Sequence, residues 1–274
     1  LRVALAHEPN MRVEGGFSAF APDACSIGLM NLMKGNAMKG WPGESKLNIP
    51  FNEVIAYDAA AAHARQPIAN VIFDFGNVLV DWDPQALFMP HYSEKRIEDF
   101  LDNDISGFYD ACDRMDAGAS PAEGIAWMRE THGERWAEML TYYFDNFLDS
   151  LTGTIPGMRV LVHDIKAAGL GVWGLSNWQR ETIGEAENAY EILRMLNGRV
   201  ISSEVHMRKP DTAIYMKALE SFGIDAETTV FVDDRASNVI GANRAGIRCI
   251  RFRDERGLRE TLIDAGVPIP AVAE

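Results

Sequence analysis

The chain has 274 residues, 47% of them hydrophobic, and a net charge of −14. That length allows one large domain or two of ordinary size, and that apolar fraction builds a sizeable core. The acidic excess repels phosphate backbones and anionic lipid, which argues against nucleic-acid and membrane partners. Residues 1–68 hold six Lys/Arg and six Asp/Glu, so the whole excess falls in residues 69–274. Cys25, Cys112 and Cys249 are far apart, with no paired framework and no zinc spacing. The sequence has no apolar run of the roughly 18–20 residues a membrane span needs, and its start lacks the pattern of a secretion signal. A cytoplasmic setting is expected.

Residues 1–68 are rich in Gly, Ala, Met and Asn with weak periodicity, as in "MNLMKGNAMKGWPGESKLNIP". They read as an extension, poorly ordered or accessory, with a short helix over "EVIAYDAAAAHARQ" and no part in the chemistry. From Ala69 the pattern changes. "NVIFDF" is a short continuous apolar run of the buried-strand kind. Residues 85–155 then read as helices, among them "SEKRIEDFLDN", "SPAEGIAWMRETHG" and "ERWAEMLTYYFDNFLDSL". Ser93 and Ser120 suit N-caps, and Pro121 suits a first helical position.

After "TIPGM" helices and strands alternate: helix "MRVLVHDIKAAG", strand "LGVWGLS", helical residues 180–197, strand "RVISSE", helix "DTAIYMKALESFG", strand "TTVFVDD", helix "ASNVIGANRAG", strand "IRCIRF", helix "ERGLRETLIDAG". This order predicts an α/β fold, a doubly wound parallel sheet of the Rossmann type with helices on both faces. Such sheets bind ligands beyond the C-terminal ends of their strands.

Four clusters sit at those ends: Asp74, Ser176-Asn177, Lys209 and Asp233-Asp234. Taken singly, each has an ordinary reading as a cap, a turn or a solvated loop residue. Taken together and in this order, they favour one crevice holding carboxylates, a hydroxyl, an amide and a lysine. That mixture suits metal-assisted phosphoryl transfer. Carboxylates hold Mg²⁺ through oxygen, lysine neutralises phosphate charge, and one carboxylate attacks phosphorus.

The four clusters resemble, in order, the four motifs of the haloacid dehalogenase superfamily of hydrolases: "VIFDFGNVLVD", "WGLSNW", "MRKPDTAIY" and "VFVDDRASNVIGANRAG". The resemblance covers about residues 69–265. It implies an α/β core at 69–84 and 156–274 with a small helical cap at 85–155. The "DFGNV" form is similar to a subgroup that includes bacterial sugar-1-phosphate phosphatases. It further implies Asp74 as the nucleophile that forms an aspartyl-phosphate, and Ser176, Asn177 and Lys209 as phosphate-binding groups. Mg²⁺ would be held by Asp74, the Gly76 backbone carbonyl and Asp234 directly, and by Asp233 through water. Asn238 stands where the family often has a further acid. The implied substrate is a small phosphorylated metabolite such as a sugar phosphate, and the implied state is a monomer or homodimer.

Gly76 is the departure. Most phosphatases of this family carry a general acid/base there, a group worth roughly 10²–10⁴-fold in rate. Either the leaving group needs little help, as an anomeric oxygen would, or another group supplies the proton. Asp81 and Asp83 are candidates for that group, and loop acids beside Pro84 otherwise. Two further readings compete with the phosphatase: a 2-haloacid dehalogenase using Asp74 on carbon without metal, and a non-catalytic binding module. Adjacent acids at 233–234 disfavour the first, and the retained Asp74, Ser176 and Lys209 disfavour the second. Substrate choice should lie on the cap, where Trp82, Phe108, Tyr109, Trp127 and Trp136 either line the pocket or pack the core.

Overall fold

The computed structural model describes residues 41, 44–56 and 66–271. A six-stranded sheet has the order β1 (Val54–Ile55), β8 (Arg248–Arg251), β7 (Thr229–Asp233), β2 (Asn70–Phe73), β5 (Gly171–Ser176), β6 (Gly198–Ile201). All neighbours run parallel except β1, which is antiparallel to β8. β2 lies between β7 and β5, and Val71, Ile72 and Phe73 are fully buried. Its side chains alternate between two apolar layers. Val71 and Phe73 join the cluster on one face with Val230 and Val232, and Ile72 joins the other with Phe231 and Leu175. Burial on both faces explains why "VIF" is apolar without interruption.

The cap leaves and rejoins the core through a two-stranded antiparallel ribbon, β3 (Val80–Trp82) and β4 (Leu151–Thr154). Helices Pro84–Phe88, Glu94–Leu101, Asn103–Ser106, Phe108–Asp116, Pro121–His132 and Glu134–Asp145 lie between them. Ser120 makes a full capping box with Glu123, and Pro121 starts that helix. Ser93 occupies an N-cap position, but its side chain makes no capping bond. Phe88, Phe100, Phe108 and Tyr143 pack edge to face or tilted at the cap centre. Of the expected pocket aromatics, Phe108, Tyr109 and Trp136 are buried in this packing, and Trp127 lies under the Arg114 guanidinium.

The extension differs from expectation. The helix expected over residues 53–66 opens as strand β1 instead, because Val54 and Ile55 complete the open edge of β8. Residues 57–65 and Cys25 lie outside the described residues. The stretch before β1 is fastened to the core at several points. Asn52 N donates to Arg251 O at 2.8 Å, Arg251 Nη1 to Ile49 O at 3.0 Å, and Thr261 Oγ1 to Asn52 O at 2.6 Å. A chain beginning at Ala69 loses these bonds and reopens the β8 edge. At about 1 kcal/mol per bond, roughly 3 kcal/mol of stability should go. For a domain of this size that lowers the melting temperature by roughly 6–12 °C. Thermal unfolding of chains starting at Trp41 and at Ala69 compares the two, and equal midpoints would show that the segment contributes nothing.

Candidate active site

β2 stops at Phe73, and Asp74 follows at its C-terminal end beside the ends of β5 and β7. Asp74 N donates to Val232 O, and the next amide, Phe75 N, folds back onto Asp74 Oδ1 at 2.7 Å. Ser176, the last residue of β5, donates from Oγ to the same oxygen at 2.9 Å. Lys209 comes from the loop after the short helix Ser202–Val205 that follows β6. Its Nζ lies 2.7 Å from Asp74 Oδ1, 2.8 Å from Asp233 Oδ2 and 3.0 Å from Leu175 O. An ammonium has three N–H donors, and these partners use all three. Asn177 fixes this lysine through its backbone: Asn177 Nδ2 donates to Lys209 O at 3.0 Å and Lys209 N to Asn177 Oδ1 at 2.8 Å.

Lys209 is 1% exposed and Asp74 7%, so their charges have little water to share. Burial pushes Asp74 up to about 6, although Lys209 pulls the other way. Burial also opposes the charge on Lys209, but Asp233 and Asp74 outweigh it and hold its pKa above the ordinary lysine value. Asp234 is pushed up to about 8 by burial and by the neighbouring Asp233 and Asp74 carboxylates. No hydrogen bond among the described residues reaches its carboxyl group.

Asp233 is already satisfied. Its Oδ1 accepts from Arg235 N at 2.9 Å and Asn238 Nδ2 at 3.0 Å, and its Oδ2 accepts from Lys209. Asn238, in place of a further acid, therefore offsets the charge on Asp233 rather than adding to it. Its own Oδ1 is buried without a hydrogen-bond partner. Asp74, Asp233 and Asp234 each offer an oxygen, all within 4.8 Å of one another. Clustered oxygens, an acid without a hydrogen-bond partner among the described residues and an orphaned amide oxygen fit a hard divalent cation.

These residues line one cleft of about 620 Å³ including its mouth, together with Gly76, Asn177 and Asn238. All the sequence-predicted site residues thus come together: Asp74, Gly76, Ser176, Asn177, Lys209 and Asp234 on the cleft, with Asp233 buried behind. The two loop acids do not join them. Asp81, on β3, accepts from the Thr152 hydroxyl of β4. Asp83 caps the helix Pro84–Phe88, accepting from Gln85 N and Ala86 N. Sequence reasoning missed Cys112, Asp116, Tyr143, Phe147, Trp178 and Gln179, which also line the cleft, and from the extension Trp41. Trp41 lies over the Arg235 guanidinium at 4.2 Å, and Glu44 pairs with Arg235 and bonds Ser237, so this segment touches the site it was expected to leave alone. Of the expected cap aromatics, Trp82 does reach the cleft, with its Nε1 donating to Tyr143 Oη at 3.0 Å. The signal for Asp116 was available. It lies four residues after Cys112 and eight after Phe108, an acid on the apolar face of its helix.

Comparison with known proteins gives a consistent family. A profile described as haloacid dehalogenase-like hydrolase matches residues 71–252. The chain is 26% identical over 199 residues to a drimenol cyclase from Aspergillus calidoustus, covering 70% of this chain and 35% of that one. It is 28% identical over 97 residues to a sesquiterpene phosphatase from Aspergillus oryzae, covering 35% and 50%. It is also 28% identical over 97 residues to an (S)-2-haloacid dehalogenase from Burkholderia cepacia, covering 35% and 42%. The chain thus spans about a third to a half of the length of these relatives. A solved haloacid dehalogenase family enzyme from Bacteroides thetaiotaomicron, in complex with magnesium and inorganic phosphate, shares the fold at a TM-score of 0.52 and 22% identity, over 68% of this chain and 95% of that one.

Lys209→Met should test the buried charge cluster. Removing one partner of a buried pair leaves the others uncompensated, at a cost of roughly 3–5 kcal/mol. Urea unfolding at pH 8 measures it. Lys209 pulls the Asp74 pKa down, so its loss leaves that pKa higher in the folded variant than in the wild type; the variant takes up the proton first, and the deficit should shrink as pH falls from 8 toward 5. A loss below about 1 kcal/mol at pH 8 would mean the lysine holds little together.

Proposed function

The chain belongs to the haloacid dehalogenase-like hydrolases, and on that premise we propose that it is a Mg²⁺-dependent phosphatase acting on a small phosphate monoester. The observation that carries this reading is the arrangement at the strand ends. One carboxylate, Asp74, faces the cleft beside a fixed ammonium and hydroxyl, and Asp234, an acid without a hydrogen-bond partner among the described residues, stands next to it. Asp74 attacks phosphorus, the ester oxygen departs, and the aspartyl-phosphate is then hydrolysed by water. Ser176 Oγ and Lys209 Nζ, both already on Asp74 Oδ1, stabilise the phosphoryl oxygens as charge builds on them. Asp74, Asp234 and the Gly76 carbonyl would hold Mg²⁺, with Asp233 behind them. When bound, the ion supplies charge neutralisation at the phosphate.

The cleft is also lined by Trp41, Trp82, Tyr143, Phe147 and Trp178. Such rings suit a leaving group with an apolar face, whether the C–H face of a sugar or a hydrocarbon chain. The likeness to a sesquiterpene phosphatase supports including prenyl phosphates beside sugar phosphates in a phosphate-release screen. A 2-haloacid dehalogenase is the second reading, favoured by the missing acid at Gly76. Against it, an anionic 2-haloacid would meet Asp234 in place of a cation.

Two measurements decide. EDTA should abolish phosphate release and Mg²⁺ restore it, with Ca²⁺ a poor substitute because its coordination is larger and looser. Chloride release from a chloroacid in metal-free buffer, with no phosphate release under any condition, would move the assignment to the dehalogenase. Asp74→Asn, nearly isosteric, should lower kcat by roughly 10³-fold, about 4 kcal/mol of barrier. A folded variant with near-normal kcat would sink the nucleophile assignment.

A further inference from the structure

We propose that Asp116, on the cap, is the general acid and base of this reaction and does the work of the acid absent at Gly76. The inference rests on the phosphatase reading. Asp116 ends the helix Phe108–Asp116, is 3% exposed, and lines the same cleft as Asp74, Ser176 and Lys209. The other proton-bearing groups of that cleft are committed or unsuited. The three protons of Lys209 are held by Asp74, Asp233 and Leu175. Asp234 belongs to the cation's oxygen cluster. Tyr143 and Cys112 are both pushed well above their ordinary values by burial, which makes them feeble acids.

The core also aims this carboxyl. Trp178 Nε1 can only donate, and it donates to Thr182 Oγ1 at 3.0 Å. The Thr182 proton is thereby directed to Gln179 Oε1 at 3.3 Å. That fixes the amide so that Gln179 Nε2 faces Asp116 Oδ1 at 3.4 Å. One oxygen of Asp116 is turned into the acceptor, and no group among the described residues donates to the other, which is free to carry the proton. Burial, and then Asp113 nearby, push Asp116 up to about 8, while Arg235, Arg208 and Lys209 pull it down. The acid form therefore dominates at neutral pH. Donation to the leaving oxygen should fade as pH rises through about 8.

The steps balance. Asp74 forms a bond to phosphorus as the P–O bond to the leaving group breaks, and that oxygen takes the Asp116 proton to leave as an alcohol. Water then attacks phosphorus, its proton passes to the Asp116 carboxylate, and the bond to Asp74 breaks, giving phosphate and the starting acid.

The test compares 4-nitrophenyl phosphate, whose leaving group needs no proton, with an alkyl or sugar phosphate that the wild type hydrolyses. The readout is leaving-group release in a single turnover. Asp116→Asn, the isostere of the protonated acid, should slow the alkyl ester by roughly 10²–10⁴-fold and leave the aryl ester about unchanged. Gly76 has ordinary backbone geometry, and a Cβ there meets only Trp82 Cβ at 3.9 Å. The double variant Asp116→Asn/Gly76→Asp should therefore regain turnover of the alkyl ester. Equal slowing of both esters, or slowing of neither, overturns the role of Asp116 and leaves the phosphatase reading standing. A wild type that releases phosphate from no ester overturns both. If Asp116→Asn does not fold, the wild type suffices: dependence on leaving-group acidity should be shallow below pH 8 and steepen above it, and one slope across pH 6–9 overturns the proposal.

Discussion

A single buried ammonium, that of Lys209, sits between two carboxylates that would otherwise repel each other. Asp74 ends β2 and Asp233 ends β7, adjacent strands of one parallel sheet. The register that makes a good core therefore places two acids side by side in a dry environment. Without a cation, that register would be opposed by Coulomb repulsion and by desolvation together. Lys209 answers both, and it is locked by Asn177 and by the Leu175 carbonyl so that it cannot turn away. The same contacts that let the sheet close leave Asp74 ionised and fixed at the edge of the cleft.

Asp234 is the acid that this lysine does not reach in hydrogen-bond terms. Asn238 withholds a further charge from the group and spends its amide hydrogens on Asp233. The result is a graded cluster: one satisfied acid, one acid paired on a single oxygen, and one acid that Arg235 and Lys209 offset only through space, with no hydrogen bond among the described residues. A symmetrical set of three equal carboxylates would not separate structural support from chemistry in this way.

The core site was legible because its residues interrupt strong patterns. Asp74, Ser176 and Asp233 each terminate a run of buried apolar residues, where a polar group needs a reason. Asp116 and Gln179 were obscure because Asp116 lies in helical sequence and Gln179 in the loop just before a helix, both places where polar residues are common. Asp116 shares its helix with Asp110 and Asp113, and only its spacing from Phe108 and Cys112 separates the buried acid from the more exposed ones. The strands β3 and β4 are three and four residues long, too short for alternation to show. β1 was mistaken for helix because the alanines after it have high helix propensity, whereas pairing with β8 decided its conformation. Asp83 was weighed as a site acid, but Pro84 after it marks the first turn of a helix, and capping is what the side chain does.

The cleft draws its two ends from different parts of the chain. The carboxylate end is built on strand termini, and the aromatic wall on β3, on the cap, on the loop after β5 and on Trp41. Of the six tryptophans in the sequence, Trp41, Trp82 and Trp178 stand on its wall. Indole emission responds to the polarity around the ring, so half of the protein's tryptophans report on one small volume. Occupancy of the cleft is thus written into the protein's own fluorescence, with no label attached.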